Sequence, residues 1–266
     1  MLAKKTKNNK NILQDFLIYT CALQALGYGL NAFRQKLEIN SDYLLSKGFS
    51  EGIALVAPYL LGLLFFYNAW MIISKRRSFD LMLSGSAILL LSLMSFMKFK
   101  GEFYGLVLPA RASRFLLPMV SAVLFSTTDK KLSLNKVQNI LMVLISLTFI
   151  GHGLKCLMHY QGFAAYLDSF FNGLIGLKLN EQQFHIILDI IGLVDLMAAA
   201  CALLNIKRTW MLGYMFSWAT IAAFSRVIHY GWIGYDQIII RAAYIGIPLI
   251  VMWMIVQKSK LNKLSV

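Results

Sequence analysis

The chain has 266 residues, of which 58% are apolar and only 14% are charged, and its mean hydropathy is positive. A soluble globular protein of this size carries far more polar surface, so the composition excludes that class. The net charge of +14 could indicate nucleic-acid binding, but no nucleic-acid-binding motif is present and the basic residues separate apolar runs. Cys21, Cys156 and Cys201 are scattered, which argues against a disulfide framework and thiol–disulfide chemistry.

The apolar residues form eight long runs, which we interpret as transmembrane helices. A helix needs roughly 20 apolar residues to cross ~30 Å of hydrocarbon. The runs are continuously apolar and do not alternate, so strands are not expected. The sequence therefore predicts an all-α fold, a polytopic membrane helix bundle. The predicted spans cover residues 13–32, 52–73, 81–97, 104–125, 137–160, 184–204, 210–228 and 237–256.

The connections between the predicted spans differ in charge. Because cytoplasmic loops carry an excess of Lys and Arg, both termini are predicted to lie in the cytoplasm, and the expected location is a bacterial inner membrane. The longest connection, 161–182, is amphipathic and is expected to lie along the outer interface. The basic segments contain Lys4, Lys5, Lys7 and Lys10; Lys75, Arg76 and Arg77; Lys130, Lys131 and Lys136; Lys207 and Arg208; and Lys258, Lys260 and Lys263. The other connections contain Glu38, Asp42, Glu51, Glu102, Asp168, Glu181 and Asp236.

The two halves of the sequence resemble each other, which predicts an internal duplication. Because each copy has an even number of spans, the copies must have the same orientation in the membrane. The matches, at near-constant spacing, are Gly27-Tyr28-Gly29-Leu30 with Gly151-His152-Gly153-Leu154, Gly62 with Gly192, Ser95 with Ser225, Arg111-Ala112 with Arg241-Ala242, and Pro118 with Pro248. The predicted parts are a basic tail (1–11), a first four-helix repeat (12–125), a cytoplasmic linker (126–136), a second four-helix repeat (137–256) and a second basic tail (257–266).

Short motifs make each repeat similar to the DoxX-like families of small four-helix membrane proteins. They are the Gly-His-Gly-Leu at residues 151–154, Gly-x-x-Asp from Gly192 to Asp195, Arg-x-x-His from Arg226 to His229, and a basic turn between the second and third helices. The resemblance covers 12–125 and 137–256. The resemblance implies that each unit folds as four helices. DoxX-like proteins have several functions: they include the membrane part of thiosulfate:quinone oxidoreductase, cargo receptors and assembly chaperones. The resemblance carries over no specific catalytic residue.

Ionisable residues inside the predicted spans concentrate in the second repeat. Inserting such a group into a bilayer costs about 2.5–3.5 kcal/mol of free energy, so these groups usually form pairs or have a functional role. The candidate ligand-binding residues are His152, Lys155, Asp189, Asp195, Arg226, His229 and Arg241. Most corresponding positions of the first repeat are neutral, namely Tyr28, Asn31, Tyr59, Phe65 and Phe96. The first repeat is therefore predicted to be scaffold, and the second to contain an outward-facing polar pocket.

Within this set, His152, Asp195 and Arg226 are the candidate catalytic residues. Asp195 is the deepest acid, and the long side chain of Arg226 is expected to reach it. The alternative is structural, because an Asp/Arg pair between helices can serve packing alone.

A metal or haem site is a second possibility. His152, Cys156 and His159 have the spacing i, i+4, i+7 of one helical stripe, and His185 and Asp189 share a face of the next span. Such ligands suit Zn, Cu or haem iron, although this spacing is not diagnostic.

Three functions fit these observations. The first is quinone-linked redox or proton handling, with His152, Arg226 and Arg241 as donors to a quinone and the acids moving protons. The second is a non-enzymatic accessory subunit, chaperone or assembly factor with a membrane-protein partner or client. The third is a small transporter with a charged pocket between duplicated halves.

Overall fold

A computed structural model describes residues 2–75, 77–98, 104–126 and 134–263, with side chains placed for 11–260 of these ranges. Every regular element in it is a helix, which confirms the predicted all-α class. The long helices are α1 (Leu2–Phe33), α3 (Glu51–Lys75), α4 (Ser78–Lys98), α6 (Ala112–Ser126), α7 (Leu134–Leu157), α9 (Glu181–Leu203), α10 (Arg208–Tyr230) and α12 (Ala242–Lys263). The short ones are α2 (Ser41–Ser46), α5 (Val107–Ala110), α8 (Gln161–Phe170) and α11 (Tyr235–Ile239). Two 3₁₀ turns, Tyr104–Leu106 and Trp232–Gly234, and one π turn, Phe171–Ile175, complete the set.

Seven described helices are long and apolar enough to cross a membrane, so the chain is a multi-pass membrane protein. α6 is the exception: it is apolar but has 15 residues, or about 22 Å at ~1.5 Å per residue. The run predicted as one span over 104–125 is divided here, because the backbone leaves the helical conformation at Arg111. The charged positions Arg76, Glu102, Asp129, Lys130 and Lys131 lie outside the described residues, as do the side chains of Lys4, Lys5, Lys7, Lys10 and Lys263.

The helices pack in the same pattern in the two halves of the chain. In the first half α1 packs on α3 and α4 on α6; in the second α7 packs on α9 and α10 on α12. The halves are joined crosswise, since α1 packs on α12 and α6 packs on α7. The main apolar core lies at this junction and includes the fully buried Leu17, Ile145 and Val251.

Two glycines allow the close approach between the halves. A Cβ on Gly27 would lie within 3.0 Å of the backbone of Ile239 and Ile240, just before α12. A Cβ on Gly151 would meet the backbone of Pro109 and Ala110, just before α6, in the same way. The first helix of each half therefore contacts the helix break of the other half.

Asp236 strengthens one of these contacts. It is 0% exposed and accepts hydrogen bonds from Asn31 Nδ2 of α1 (2.6 Å) and from the guanidinium of Arg34, which directly follows α1 (3.0 Å). The sequence predicted that Asp236 lies in an outer connecting loop; the structure instead includes it in the short helix α11, residues 235–239, which packs against α1.

The helix bounds near the amphipathic connection 161–182 also differ from expectation. α7 ends at Leu157, not at residue 160, and His159 has a left-handed backbone (φ 52°) that cannot continue a helix. α8 then occupies part of the segment for which an amphipathic element was predicted, and the π turn that follows it ends at Ile175, capped by Gly176. The surface that carries α8 is called the α8 end of the bundle below.

Candidate functional site

A cavity of about 410 Å³ lies in the second half of the chain. α7 forms its back wall, α9 and α10 its sides, α8 with the following π turn covers its α8 end, and α12 closes the remaining side. Most of the wall is apolar or aromatic. Ile221 of α10 belongs to the wall and is also 49% exposed. The cavity is therefore not fully enclosed at its α10 side.

The structure brings five of the predicted site residues to this cavity and leaves the others outside it. The residues that line it are His152, Cys156, Asp195, Arg226 and Arg241. Those outside its wall are Lys155, His159, His185, Asp189 and His229.

Asp195 lies at the deep end of the cavity. Its side chain is buried, and its Oδ1 accepts a hydrogen bond of 2.7 Å from the Tyr214 hydroxyl of α10. The expected pair with Arg226 is not formed. Counted from the ends of α9 and α10 at ~1.5 Å per residue, Asp195 lies about 15 Å deeper than Arg226. A side chain of ordinary length does not cover that distance.

Arg226 lies near the α8 end of the same cavity and is 6% exposed. Its guanidinium carbon is 4.2 Å from the ring centroid of Tyr166 on α8, a cation–π contact. Nη1 donates to the carbonyl of Ala222 and, at 3.2 Å, to Oγ of Ser225. The buried Nε finds no acceptor among the described residues.

Arg241 is the second guanidinium of the cavity and lies at the break between α11 and α12. Its Nη1 donates to the carbonyl (2.6 Å) and the Oε1 (3.0 Å) of Gln237, one turn earlier. Within the described ranges, no carboxylate lies within ion-pair distance of Arg226 or Arg241. The cavity thus has two positive groups at one end with which no described carboxylate pairs.

His152 lies between these arginines and the apolar wall. Its half-buried ring is 5.6 Å from the ring centroid of Tyr244 and 5.7 Å from that of Phe163. Neither ring nitrogen has a hydrogen-bond partner in the part of the chain that the structure describes. His152 is therefore held by aromatic contacts and leaves its nitrogens available.

Arg114 is a buried charge that the sequence analysis missed. It belongs to α6, is 8% exposed, and its guanidinium carbon is 4.8 Å from the ring centroid of Tyr244. The signal was available, since Arg114 lies inside a predicted span. Its counterpart in the second half is Tyr244, so Arg114 does not belong to the cluster of ionisable residues predicted there.

His229 and Tyr230 hold α8 over the cavity without lining it. Nδ1 of His229 and Oγ of Ser169 are 2.6 Å apart, and the hydroxyls of Tyr166 and Tyr230 are 3.3 Å apart. These contacts connect α8 to the end of α10.

The predicted metal ligands do not converge. His159 lies beyond the end of α7, where its ring stacks on that of His185 (centroids 4.1 Å apart) and its Nε2 is 2.9 Å from Oδ1 of Asp189. His152 and Cys156 face the cavity instead. Among the described residues, no group of three His, Cys, Asp or Glu side chains could hold a metal ion. Lys155 lies 5.4 Å from the ring centroid of Tyr160, outside the cavity.

In the first half, aromatic side chains stand at two positions whose sequence counterparts line the cavity. Tyr28 and Phe65, which match His152 and Asp195 in sequence, are both buried, and their rings stack with centroids 5.4 Å apart. At these two positions the first half has packed aromatic rings where the second half has cavity-lining side chains.

Comparison with protein-family models, with curated proteins and with solved structures gives no match. The assignment of the site therefore depends on its geometry and chemistry.

Proposed function

We propose that this protein takes up a small membrane-dissolved molecule through the lipid-facing opening beside α10 and binds it in the cavity of its second half. The observation that carries the proposal is the cavity itself. Its volume of about 410 Å³ falls within the ~300–1,000 Å³ of small-molecule sites, which are mostly apolar with a few convergent polar groups.

The proposal includes eight spans in two parallel four-helix repeats, with both termini in the cytoplasm. Three observations support it: the crosswise packing of α1 on α12 and α7 on α6, the equivalent close contacts of Gly27 and Gly151, and the short helices α5 and α11 before α6 and α12. The 3₁₀ turn Tyr104–Leu106 and α5 precede α6 and extend this helical segment toward the α8 end. The bond of 3.2 Å from Nζ of Lys258 to Oδ1 of Asn135 places the end of α12 beside the start of α7.

A cavity-filling substitution tests the binding function. Ala222→Phe places a phenyl group in the wall of the cavity, whereas Ser217→Phe adds the same group at an exposed position of α10. The measurement is mass spectrometry of the lipophilic molecules that co-purify with each protein in mild detergent. We expect one class of molecule with the wild type and with Ser217→Phe, and its loss in Ala222→Phe. An identical extract from all three proteins would contradict the proposal.

Quinone-linked redox chemistry is the second candidate, and two features favour it. The free ring nitrogens of His152 could donate to a quinone carbonyl, and the hydrogen-bonded pair of Asp195 and Tyr214 could hold a proton near the other end of the cavity. The DoxX-like resemblance supports the same class of ligand. Quinone in the wild-type extract that falls in His152→Ala would favour this candidate, and an extract free of quinone would count against it. The accessory-subunit and transporter alternatives stay predictions.

A further inference from the structure

The two guanidiniums at the α8 end of the cavity differ from two other arginines of the bundle. Arg34 pairs with Asp236 at 3.0 Å, and Arg111 pairs with Glu38 at 2.6 Å. Arg241 is the sequence counterpart of Arg111, but it donates only to the neutral oxygens of Gln237. Arg226 donates only to neutral oxygens as well. Among the described residues, these two guanidiniums therefore have no carboxylate partner, whereas Arg111, the counterpart of Arg241, has one.

This arrangement is energetically unfavourable for an empty cavity. A buried charge is costly unless it is paired and hydrogen-bonded, and a buried donor without an acceptor adds the desolvation penalty of that group. Arg226 is 6% exposed and its Nε lacks an acceptor among the described residues. An oxyanion in the cavity could accept from this guanidinium, which presents donors in the fork geometry that matches carboxylates and phosphates.

The remaining polar groups that face the cavity do not neutralise these charges. His152 and the hydroxyls of Tyr166 and Tyr244 are neutral or positive at neutral pH. Asp195 is the acid on the wall, but it lies about 15 Å deeper along the helices and already accepts from Tyr214. A ligand whose negative charge lies next to Arg226 would therefore keep that charge away from Asp195.

The space between the two ends suits a chain. It is bounded by apolar side chains of α8, α9 and α10, among them Leu167, Ile191 and Trp218. An extended alkyl or isoprenoid chain fills a long apolar slot, and the opening beside Ile221 gives it a path from the bilayer. The volume favours one chain, because sites of this size hold molecules no larger than a typical drug.

We propose that the ligand is a single-chain anionic amphiphile, with a carboxylate or phosphate headgroup bound by Arg226 and Arg241 and its chain directed toward Asp195. This inference rests on the proposed binding function and specifies the chemical class of the ligand.

Three probes with the same chain test the headgroup. Hexadecanoate and hexadecyl phosphate carry the two anionic headgroups, and hexadecanol is their uncharged counterpart. Equilibrium binding of each radiolabelled probe to the purified full-length protein in nanodiscs is measured. We expect one or both anions to bind at least tenfold more tightly than hexadecanol, and the stronger of the two identifies the headgroup. Equal affinities for all three probes in the wild type would overturn the inference, and this comparison needs no variant.

Substitutions then locate the headgroup. Arg226→Gln and Arg241→Gln should each weaken binding of the anionic probe by about tenfold to a hundredfold, since each removes a charge-assisted hydrogen bond. Binding of hexadecanol should stay within about threefold of the wild type, which shows that the cavity is intact. Arg111→Gln is the matched control, because its side chain pairs with Glu38 in the first half, and it should leave all affinities unchanged. If Arg111→Gln weakens the anions as much as Arg226→Gln does, the headgroup site is refuted.

The outcomes also separate this inference from the binding function itself. Hexadecanol binding that is lost in Ala222→Phe, without any preference for the anions, would keep the cavity as a binding site and refute the anionic class. Absence of binding for all three probes, together with a lipophile-free wild-type extract, would refute both.

Discussion

Asp189 and Asp195 show how two acids on one helix obtain different surroundings. They are six residues apart on α9, which places them on different faces. The Asp189 side chain is 46% exposed and lies beside His159, whereas Asp195 is 1% exposed and accepts from Tyr214. Both were candidate ligand-binding residues, but the cavity includes only Asp195. At the residue scale, the direction of a side chain decides its role more than its depth does.

The Asp195–Tyr214 hydrogen bond should show strong non-additivity. Tyr214→Phe leaves the buried carboxyl without its donor, and Asp195→Leu leaves the hydroxyl without its acceptor, so each should destabilise the protein by about 1–3 kcal/mol. The double variant removes both polar groups and should be closer to the wild type than the sum of the single changes. Thermal unfolding in detergent measures the three differences. Simple additivity would show that the bond contributes nothing to stability.

Two ion pairs of similar geometry should differ in their effect on stability. Asp236 is fully buried, so Asp236→Asn removes a buried charge that pairs with Arg34 and should cost about 3–5 kcal/mol. Glu38→Gln breaks the partly exposed pair with Arg111 and should cost about 1 kcal/mol or less. The comparison uses the same unfolding measurement. Equal shifts of the melting temperature would contradict the importance of burial at Asp236.

At the scale of elements, the first helix of each half depends on a glycine where it meets a helix break. Gly27→Ala and Gly151→Ala should both lower the unfolding temperature, because the added methyl group would meet backbone atoms that cannot move independently. Gly213→Ala is the control: it lies inside α10, and a Cβ there meets nothing within 4 Å. It should be neutral or stabilise the protein by up to about 1 kcal/mol, since Ala favours a helix. A loss of stability in Gly213→Ala equal to that of Gly27→Ala would contradict the role of close contact.

The elements themselves were largely predictable, and their contacts were not. Continuous apolar runs identified helices because a bilayer leaves few alternatives for the backbone. The contact of Asn31 with Asp236 joins residues 205 positions apart, and no local pattern encodes such a pairing. The end of α7 was missed for a related reason, since the left-handed backbone of His159 depends on its neighbours and not on composition. The arginines of the cavity were predicted from their place in apolar runs, but their lack of a partner required the structure.

For the whole molecule, the divergence of the two halves explains where binding is expected. The stacked rings of Tyr28 and Phe65 occupy the first half where His152 and Asp195 border a cavity in the second. Close packing of side chains makes a helix bundle rigid, because a close-packed interior has few alternative arrangements. We infer that the first half stabilises the junction of α1, α7 and α12, and that the second half uses this support to keep a cavity open.

The orientation of the whole chain follows from whether α6 crosses the membrane. If eight helices cross, the exposed residues Lys47 and Lys178, which precede α3 and α9, lie on the same outer side. If α6 does not cross, they lie on opposite sides. We expect Lys47→Cys and Lys178→Cys to react with a membrane-impermeant maleimide in intact cells, and Ile206→Cys and Lys260→Cys to react only after permeabilisation. The wild type, with Cys21 and Cys156 buried and Cys201 partly buried, provides the unlabelled background. Labelling of Lys47→Cys and Lys178→Cys from opposite sides would refute eight spans and the parallel arrangement of the repeats.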